Sequence, residues 1–269
     1  MIRLFLADID GCLAEPYREF DLGAFARLRA WAAHAEGQEG WPTIGVCSGR
    51  AYAYVEAVAQ ALGLQGPALF ESGGGRFDLG AATIRWNPAL SPEAELALDR
   101  VRDFFLREVV GPSDTISLDY GKRAQAGIVS AVRGEAAGFL DATRAFLDEL
   151  EGRTGVRLLP FSTPWSVDVV PDGLTKAQAL AWVAEQDGLT LDEVAFIGDT
   201  DGDVGALRAA GRAFAPANAD AAAKDAADTV TECELVAGVS EAYLACLAAN
   251  GVNPTEAVVG VPGAFSSVS

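Results

Sequence analysis

Two acidic segments combine residue types and spacing that suit chemistry. Asp8-Ile9-Asp10-Gly11 follows directly on the apolar run 2–7, and acids spaced by one residue project to the same side of an extended chain. Gly198-Asp199-Thr200-Asp201-Gly202-Asp203 follows the apolar run 194–197 in the same way. A single Asp-x-Asp-Gly is more readily a turn than a site, because Asp and Gly both favour turns. A second cluster at a strand end changes that, since open α/β sheets bind ligands where their strands end. Carboxylates gathered in one crevice repel each other, a divalent cation offsets the repulsion, and all-oxygen ligation selects magnesium over zinc. A calcium loop is set aside: it needs Gly after its third acid and a closing Glu, where this chain has Val204 and Ala210.

Two further segments supply groups that suit an anion. Cys47-Ser48-Gly49-Arg50 follows the apolar run 43–47 and opens a helical pattern, which places a hydroxyl and unpaired amides at a helix start. Taken alone, Ser48 serves equally as a helix cap and Arg50 as a surface ion pair. Lys176 begins a helical pattern that Thr175 is placed to cap. A cation there opposes the helix dipole, so it calls for anions nearby, although a solvated lysine is an equal reading.

Composition narrows the rest. A formal charge of −18 and a pI near 4.3 disfavour nucleic acid and anionic membrane, and no segment reaches transmembrane length. The first residues lack the long apolar core and cleavage site of a signal peptide, and the widely spaced Cys12, Cys47, Cys233 and Cys246 read as reduced thiols, so the expected compartment is the cytoplasm. The single histidine, His34, lies in an Ala-rich helical stretch and reads as a packing or surface residue, which removes most Ser/His/Asp and poly-His zinc designs. No Gly-x-x-x-x-Gly-Lys-Ser/Thr occurs, and Gly73-Gly74-Gly75 reads as a tight turn followed by strand or turn.

The elements that must position these groups alternate. Apolar runs at 2–7, 43–47, 68–70, 166–170 and 194–197 read as buried strands, with helical patterns around 21–35, 51–62, 175–187 and 203–210. The expected fold is α/β, a doubly wound parallel sheet covered on both faces. Residues 81–171 break the rhythm: helix at 91–109, strands at 114–118 and 125–132, helix at 135–150, then strands at 156–160 and 166–170. This reads as an α+β insert hinged near Asn87-Pro88 and Pro171-Asp172-Gly173. The residues after Asn250 show no period and are expected to be irregular and peripheral.

In order, LADIDG, CSGR, GLTK and FIGDTDGD resemble the four signature motifs of the haloacid dehalogenase superfamily of aspartate-nucleophile phosphatases. The helix-strand-strand repeat of the insert resembles the α/β cap of the Cof-like, or type IIB, branch. The resemblance implies a Rossmann-like core made of 1–80 and 172–269, with a cap at 81–171. It also implies that Asp8 is the nucleophile, Asp10 the general acid and base, and Ser48, Gly49 and Lys176 the phosphoryl binders. A magnesium ion would be held by Asp8, Asp10, Asp199 and Asp203, with Asp203 serving either the metal or the lysine. Cys12, Ser72 and Gly202 stand where the family often has Thr, Asn and Asn.

Caps of this sort lower loops onto the substrate, so Lys122 and Arg123, after Tyr120-Gly121, are candidate substrate contacts beside Arg50; a solvated turn is the competing reading. The implied substrate is a small phosphorylated metabolite: a sugar phosphate, phosphoglycolate or a phosphoglycerate-type compound. The expected assembly is a monomer or homodimer. A phosphomutase, in which a sugar hydroxyl replaces water, and a non-catalytic phospholigand-binding protein are the alternatives.

Overall fold

The computed structural model describes residues 1–253, so the expectation for the tail beyond Asn250 lies almost wholly outside the described residues. In chain order the elements are β1 (Leu4–Ala7), α1 (Leu22–Ala35), β2 (Thr43–Cys47), α2 (Tyr52–Leu62), β3 (Ala68–Phe70), β4 (Gly75–Asp78) and β5 (Thr83–Trp86). There follow α3 (Pro92–Phe104), which runs on into a π-helical turn (Phe105–Val110), β6 (Ile116–Leu118), β7 (Ala126–Ser130), α4 (Leu140–Thr154), β8 (Leu158–Ser162) and β9 (Ser166–Pro171). The chain closes with α5 (Lys176–Gln186), β10 (Val194–Ile197), α6 (Val204–Ala209), β11 (Arg212–Ala215), α7 (Ala221–Ala226), β12 (Thr229–Val230) and α8 (Leu235–Ala249).

The larger sheet has eight strands in the order β12-β11-β10-β1-β2-β3-β4-β5. Its first six are mutually parallel, and β4 and β5 add an antiparallel edge. Strand periodicity explains the two-sided burial. Phe5 and Ala7 of β1 face a core built with α1, α2 and α8, whereas Leu4 and Leu6 face a second core built with α5, α6 and α7. The chain winds from β1 to β2 and β3 on one side, then returns to place β10 on the other side of β1. Strand order therefore reverses between β1 and β10, which opens a crevice beyond their carboxyl ends.

The smaller sheet is antiparallel, in the order β6-β7-β9-β8. Ile116, Leu118, Ala126, Ile128, Val167 and Val169 pack with Leu98, Val101, Phe105, Leu147 and Leu150 from the helical side, so both helices cover one face. One boundary moves. Residues 83–86, placed by the sequence reading in the insert, pair with β4 in the larger sheet, and the chain leaves that sheet only after Trp86. As an exposed edge strand, β5 carries no apolar run to mark it. Among the described residues no helix is long and apolar enough to cross a membrane.

Candidate active site

Pairing of β1 with β10 sets Ala7 opposite Ile197 and brings the two acidic segments together, because each begins one or two residues beyond that pair. The Asp8 amide donates to the Ile197 carbonyl at 3.0 Å, and the Ile9 amide donates to Asp8 Oδ1 at 2.7 Å. Gly11 adopts φ +76°, and a Cβ there would lie 1.9 Å from Asp199 Oδ2, so only glycine lets this loop close on the other acidic segment. Asn218 ties the same turn down by donating to the Gly11 carbonyl at 2.8 Å. In the other loop the amides of Asp199 and Thr200 both donate to Asp203 Oδ2 at 3.1 Å, which turns Asp203 inward.

Asp8, Asp199 and Asp203 each present a carboxylate oxygen within 4.8 Å of the others. Lys176 enters from the first turn of α5, and its Nζ donates to Asp8 Oδ2 and to Asp203 Oδ1, each at 2.6 Å. Thr175 occupies the cap position of α5, but its side chain makes no capping bond there, so Lys176 is fixed by its ion pairs. Burial pushes the Asp8 carboxyl up to about 7, with Lys176 pulling against it, and burial beside Asp8 and Asp203 pushes Asp199 up to about 8. Burial opposes the charge on Lys176, but Asp203 and Asp8 outweigh it and hold the ammonium well above its usual range. Three carboxylates against one ammonium leave a deficit of positive charge in a buried place.

Cys12, which stands where the family often has Thr, lies in this cluster: its thiol approaches the Ile197 carbonyl at 3.8 Å and Asp199 Oδ1 at 3.9 Å. Burial and the negative charge of Asp199 keep it a thiol. Cys47 is likewise buried and pushed up to about 12. Both are inert neighbours of the acids.

Asp10 does not join the three acids. Arg50 grips its carboxylate with two guanidinium nitrogens, and the guanidinium lies about 5 Å from the ring centres of both Tyr17 and Tyr54. Tyr17 in turn touches Trp165, at the β8–β9 hairpin tip, edge to face. Tyr17 and Tyr54 thus flank the guanidinium, a placement that spacing along the chain does not reveal. Ser48 is buried and its Oγ accepts from the Arg50 amide at 3.3 Å; α2 starts only at Tyr52, so the Ser48-Gly49-Arg50 segment precedes the helix.

The candidate contacts from the insert are differently placed. Lys122 is buried, paired with Asp168 at 2.6 Å and Asp119 at 3.3 Å, so its turn is not simply solvated. Arg123 pairs with Glu95 at 2.6 Å and lies over the Trp86 ring. His34 packs edge to face on Trp41.

Comparison with known proteins agrees with this geometry. The family model for haloacid dehalogenase-like hydrolase matches residues 140–242. A phosphoglycolate phosphatase of Halorubrum lacusprofundi is 30% identical over 230 residues, covering 86% of this chain and 91% of that protein. Among solved structures, a Thermoplasma acidophilum protein, 0175, superposes with a TM-score of 0.68 at 23% identity, covering 91% of this chain and 98% of that one. The sucrose-phosphatase of Synechocystis, solved with sucrose and phosphate, superposes at 0.64 with 15% identity, covering 91% of this chain and 98% of that one, and so shares the fold. With four motifs at the reversal point of a doubly wound sheet and a relative matched over most of both lengths, the chain belongs to the haloacid dehalogenase-like hydrolases, as a Cof-like phosphatase acting on phosphoric monoesters.

Proposed function

We propose that the chain hydrolyses a small phosphomonoester through an aspartyl-phosphate on Asp8, with magnesium bound in the crevice. The observation that carries the reading is the contact of Lys176 with both Asp8 and Asp203 beside Asp199, two buried acids sharing one ammonium with a third carboxylate within reach. The donor set fits the ion: it is all oxygen, short of positive charge, and burial pushes two of its acids upward despite Lys176. Asp8, Asp199 and Asp203 would hold magnesium, which when bound draws electron density from the phosphoryl group. Asp10, named with these acids in the sequence reading, has its carboxylate committed to Arg50 instead.

An Asp8 carboxylate oxygen attacks phosphorus; the bond from phosphorus to the ester oxygen breaks as Asp10, freed from Arg50 and protonated when substrate is bound, gives that oxygen a proton. Water then attacks the phosphorus of the aspartyl-phosphate, losing its proton to Asp10, and Asp8 and inorganic phosphate are released. Lys176, Ser48 and the Gly49 amide hold the phosphoryl oxygens, and Lys176 screens the approach of two anions. The unit built on the smaller sheet acts as the cap. Within it Lys122 and Arg123 serve the substrate only if they exchange their present partners, and Arg50 is the nearest cation to Asp10. The relative that acts on phosphoglycolate supports a small phosphorylated acid or sugar as substrate. Four free cysteines suit the cytoplasm.

Phosphate release from a panel of phosphoglycolate, glycerol phosphate and sugar phosphates, with magnesium and then with chelator, tests the reading. Magnesium-dependent release, with the phosphoryl group trapped on Asp8 by mass spectrometry, is the expected result. Isomer formation without free phosphate would replace water by a sugar hydroxyl, and full activity in Asp8→Asn would remove the covalent step.

A further inference from the structure

Glu71 has no part in the chemistry above, yet it is among the most completely buried charged residues, at 1% exposure. Its backbone is in the left-handed region, φ +51°, followed by Ser72 at +56° and Gly73 at +92°. Such a run persists only where the surroundings fix it, and here they do. The Glu71 amide donates to the Arg50 carbonyl and the Ser72 amide to the Ser48 carbonyl, both at 2.9 Å. A Cβ on Gly73 would lie 2.2 Å from the Ala179 Cβ on α5, which holds the bend from the opposite side.

This conformation turns the Glu71 side chain outward from the larger sheet to the smaller unit. Its Oε2 accepts from the amides of both Arg123, at 2.9 Å, and Ala124. The same turn is gripped from behind by α3, where Arg102 Nη2 donates to the carbonyls of Lys122, Arg123 and Gln125 at 3.3, 2.7 and 2.9 Å. The two surfaces are in close contact: a Cβ on Gly121 would sit 3.1 Å from Ala51 Cβ, and one on Gly74 only 2.4 Å from Ala124 Cβ. Asn87, at the point where the chain leaves the larger sheet, donates from Nδ2 to the Gly73 carbonyl at 3.1 Å and from its amide to the Gly74 carbonyl at 2.9 Å. Crossing strand and docking turn thus meet on one four-residue segment.

We propose that Glu71 is a positioning residue whose carboxylate clasps the 119–125 turn of the cap to the segment carrying Ser48 and Arg50, so that the phosphoryl-binding loop and the cap are set by one side chain. The inference rests on the phosphatase reading for its consequence, since the segment it fixes is the one assigned to the phosphoryl group. Its physical basis is independent of that reading. Two amides with one shared acceptor, the Ala124 bond fully buried, lose that acceptor together.

The turn contains Lys122 and Arg123, so trypsin reports directly on the clasp in the full-length protein. In wild type the bonds after Lys122 and Arg123 should resist cleavage. In Glu71→Ala they should be cut at least about tenfold faster while rates elsewhere stay level, as expected for local opening of one segment. Glu71→Gln, which keeps an oxygen for the two amides, should remain within about threefold of wild type. Arg102→Met, which releases the turn from the other side, should reproduce the alanine pattern. With a phosphomonoester and magnesium, Glu71→Ala should raise KM about tenfold or more, and Glu71→Gln should rescue it.

Cleavage of Glu71→Ala no faster than wild type at those two bonds would overturn the proposal. So would equal cleavage along the whole chain in both variants, which would make Glu71 a residue of general stability. A wild type that releases no phosphate while the tryptic pattern appears as expected would sink the phosphatase reading and leave the clasp standing. An active wild type with an equally active, uncut Glu71→Ala would do the reverse.

Discussion

Replacing Lys176 by Met tests the electrostatics of the crevice most directly, since Met keeps the length and apolar stem but removes the charge. Lys176 is the ammonium between Asp8 and Asp203, with side chains 10%, 8% and 0% exposed, so the acids it leaves behind have little water to turn to. Removing one partner of a buried ion pair costs about 3–5 kcal/mol. At about 2–4 °C per kcal/mol for a domain of this size, the melting temperature should fall by about 6–20 °C in chelator. Lys176 also holds Asp8 down against burial, so its loss drives that carboxyl further up from about 7. A carboxyl raised in the folded state contributes stability that is present at low pH and lost as pH rises through its folded value. The gap between wild type and variant should therefore widen as pH climbs through 7 and narrow below it. Differential scanning calorimetry at about pH 5 and 8, with chelator and with magnesium, measures this. A variant melting within about 2 °C of wild type in chelator at about pH 8 would refute the assignment of Lys176 as the charge that holds the acids together. Turnover should fall about 10²–10³-fold, the usual cost of losing one preorganised group that stabilises developing charge.

Asp10→Asn should lower turnover by about 10²–10⁴-fold in phosphate release while calorimetric magnesium affinity stays near wild type, and a loss of affinity instead would put its carboxylate in the metal set. Gly11→Ala forces a Cβ to within 1.9 Å of Asp199 at φ +76°, so it should cost about 1–3 kcal/mol or more in thermal unfolding and weaken magnesium binding. Unchanged metal affinity in that variant would show that the loop can move aside. Burial raises Asp8 to about 7 and Asp199 to about 8, and magnesium takes the ionised forms, so affinity should increase across that range with protons released on binding. By the same sign the metal-free chain should lose stability as pH rises through those values and recover it with magnesium. An affinity independent of pH there would contradict the buried cluster.

Much of the framework is legible from local pattern alone. Strands β1, β2, β3 and β10 are short apolar runs closed by a turn residue, and the Asp8, Ser48 and Asp199 segments begin where such runs end, so periodicity marks the scaffold and most of the candidate site. The edge strand Thr83–Trp86 leaves no such trace, because among the described residues it pairs with β4 alone and its first three side chains face water. Long-range pairings are equally silent in sequence. Nothing near Asp10 announces Arg50, nothing near Lys122 announces Asp168, and Glu71 looks like an ordinary turn acid until its two amide partners appear fifty residues on. Lys122 shows the physical reason: a charged hairpin residue is usually solvated, and only tertiary packing decides that this one is enclosed between two acids.

The adjacency of β1 and β10 bears on when the protein can first work during its own synthesis. Asp8 leaves the ribosome well before β10, because the strand that must lie beside it is translated only after the whole intervening unit. Every nascent chain shorter than that lacks Asp199 and Asp203, two of the three clustered carboxylates. Hydrolytic capacity thus arrives abruptly, once β10 and the acids that follow it have been made, and shorter products should leave phosphate esters intact.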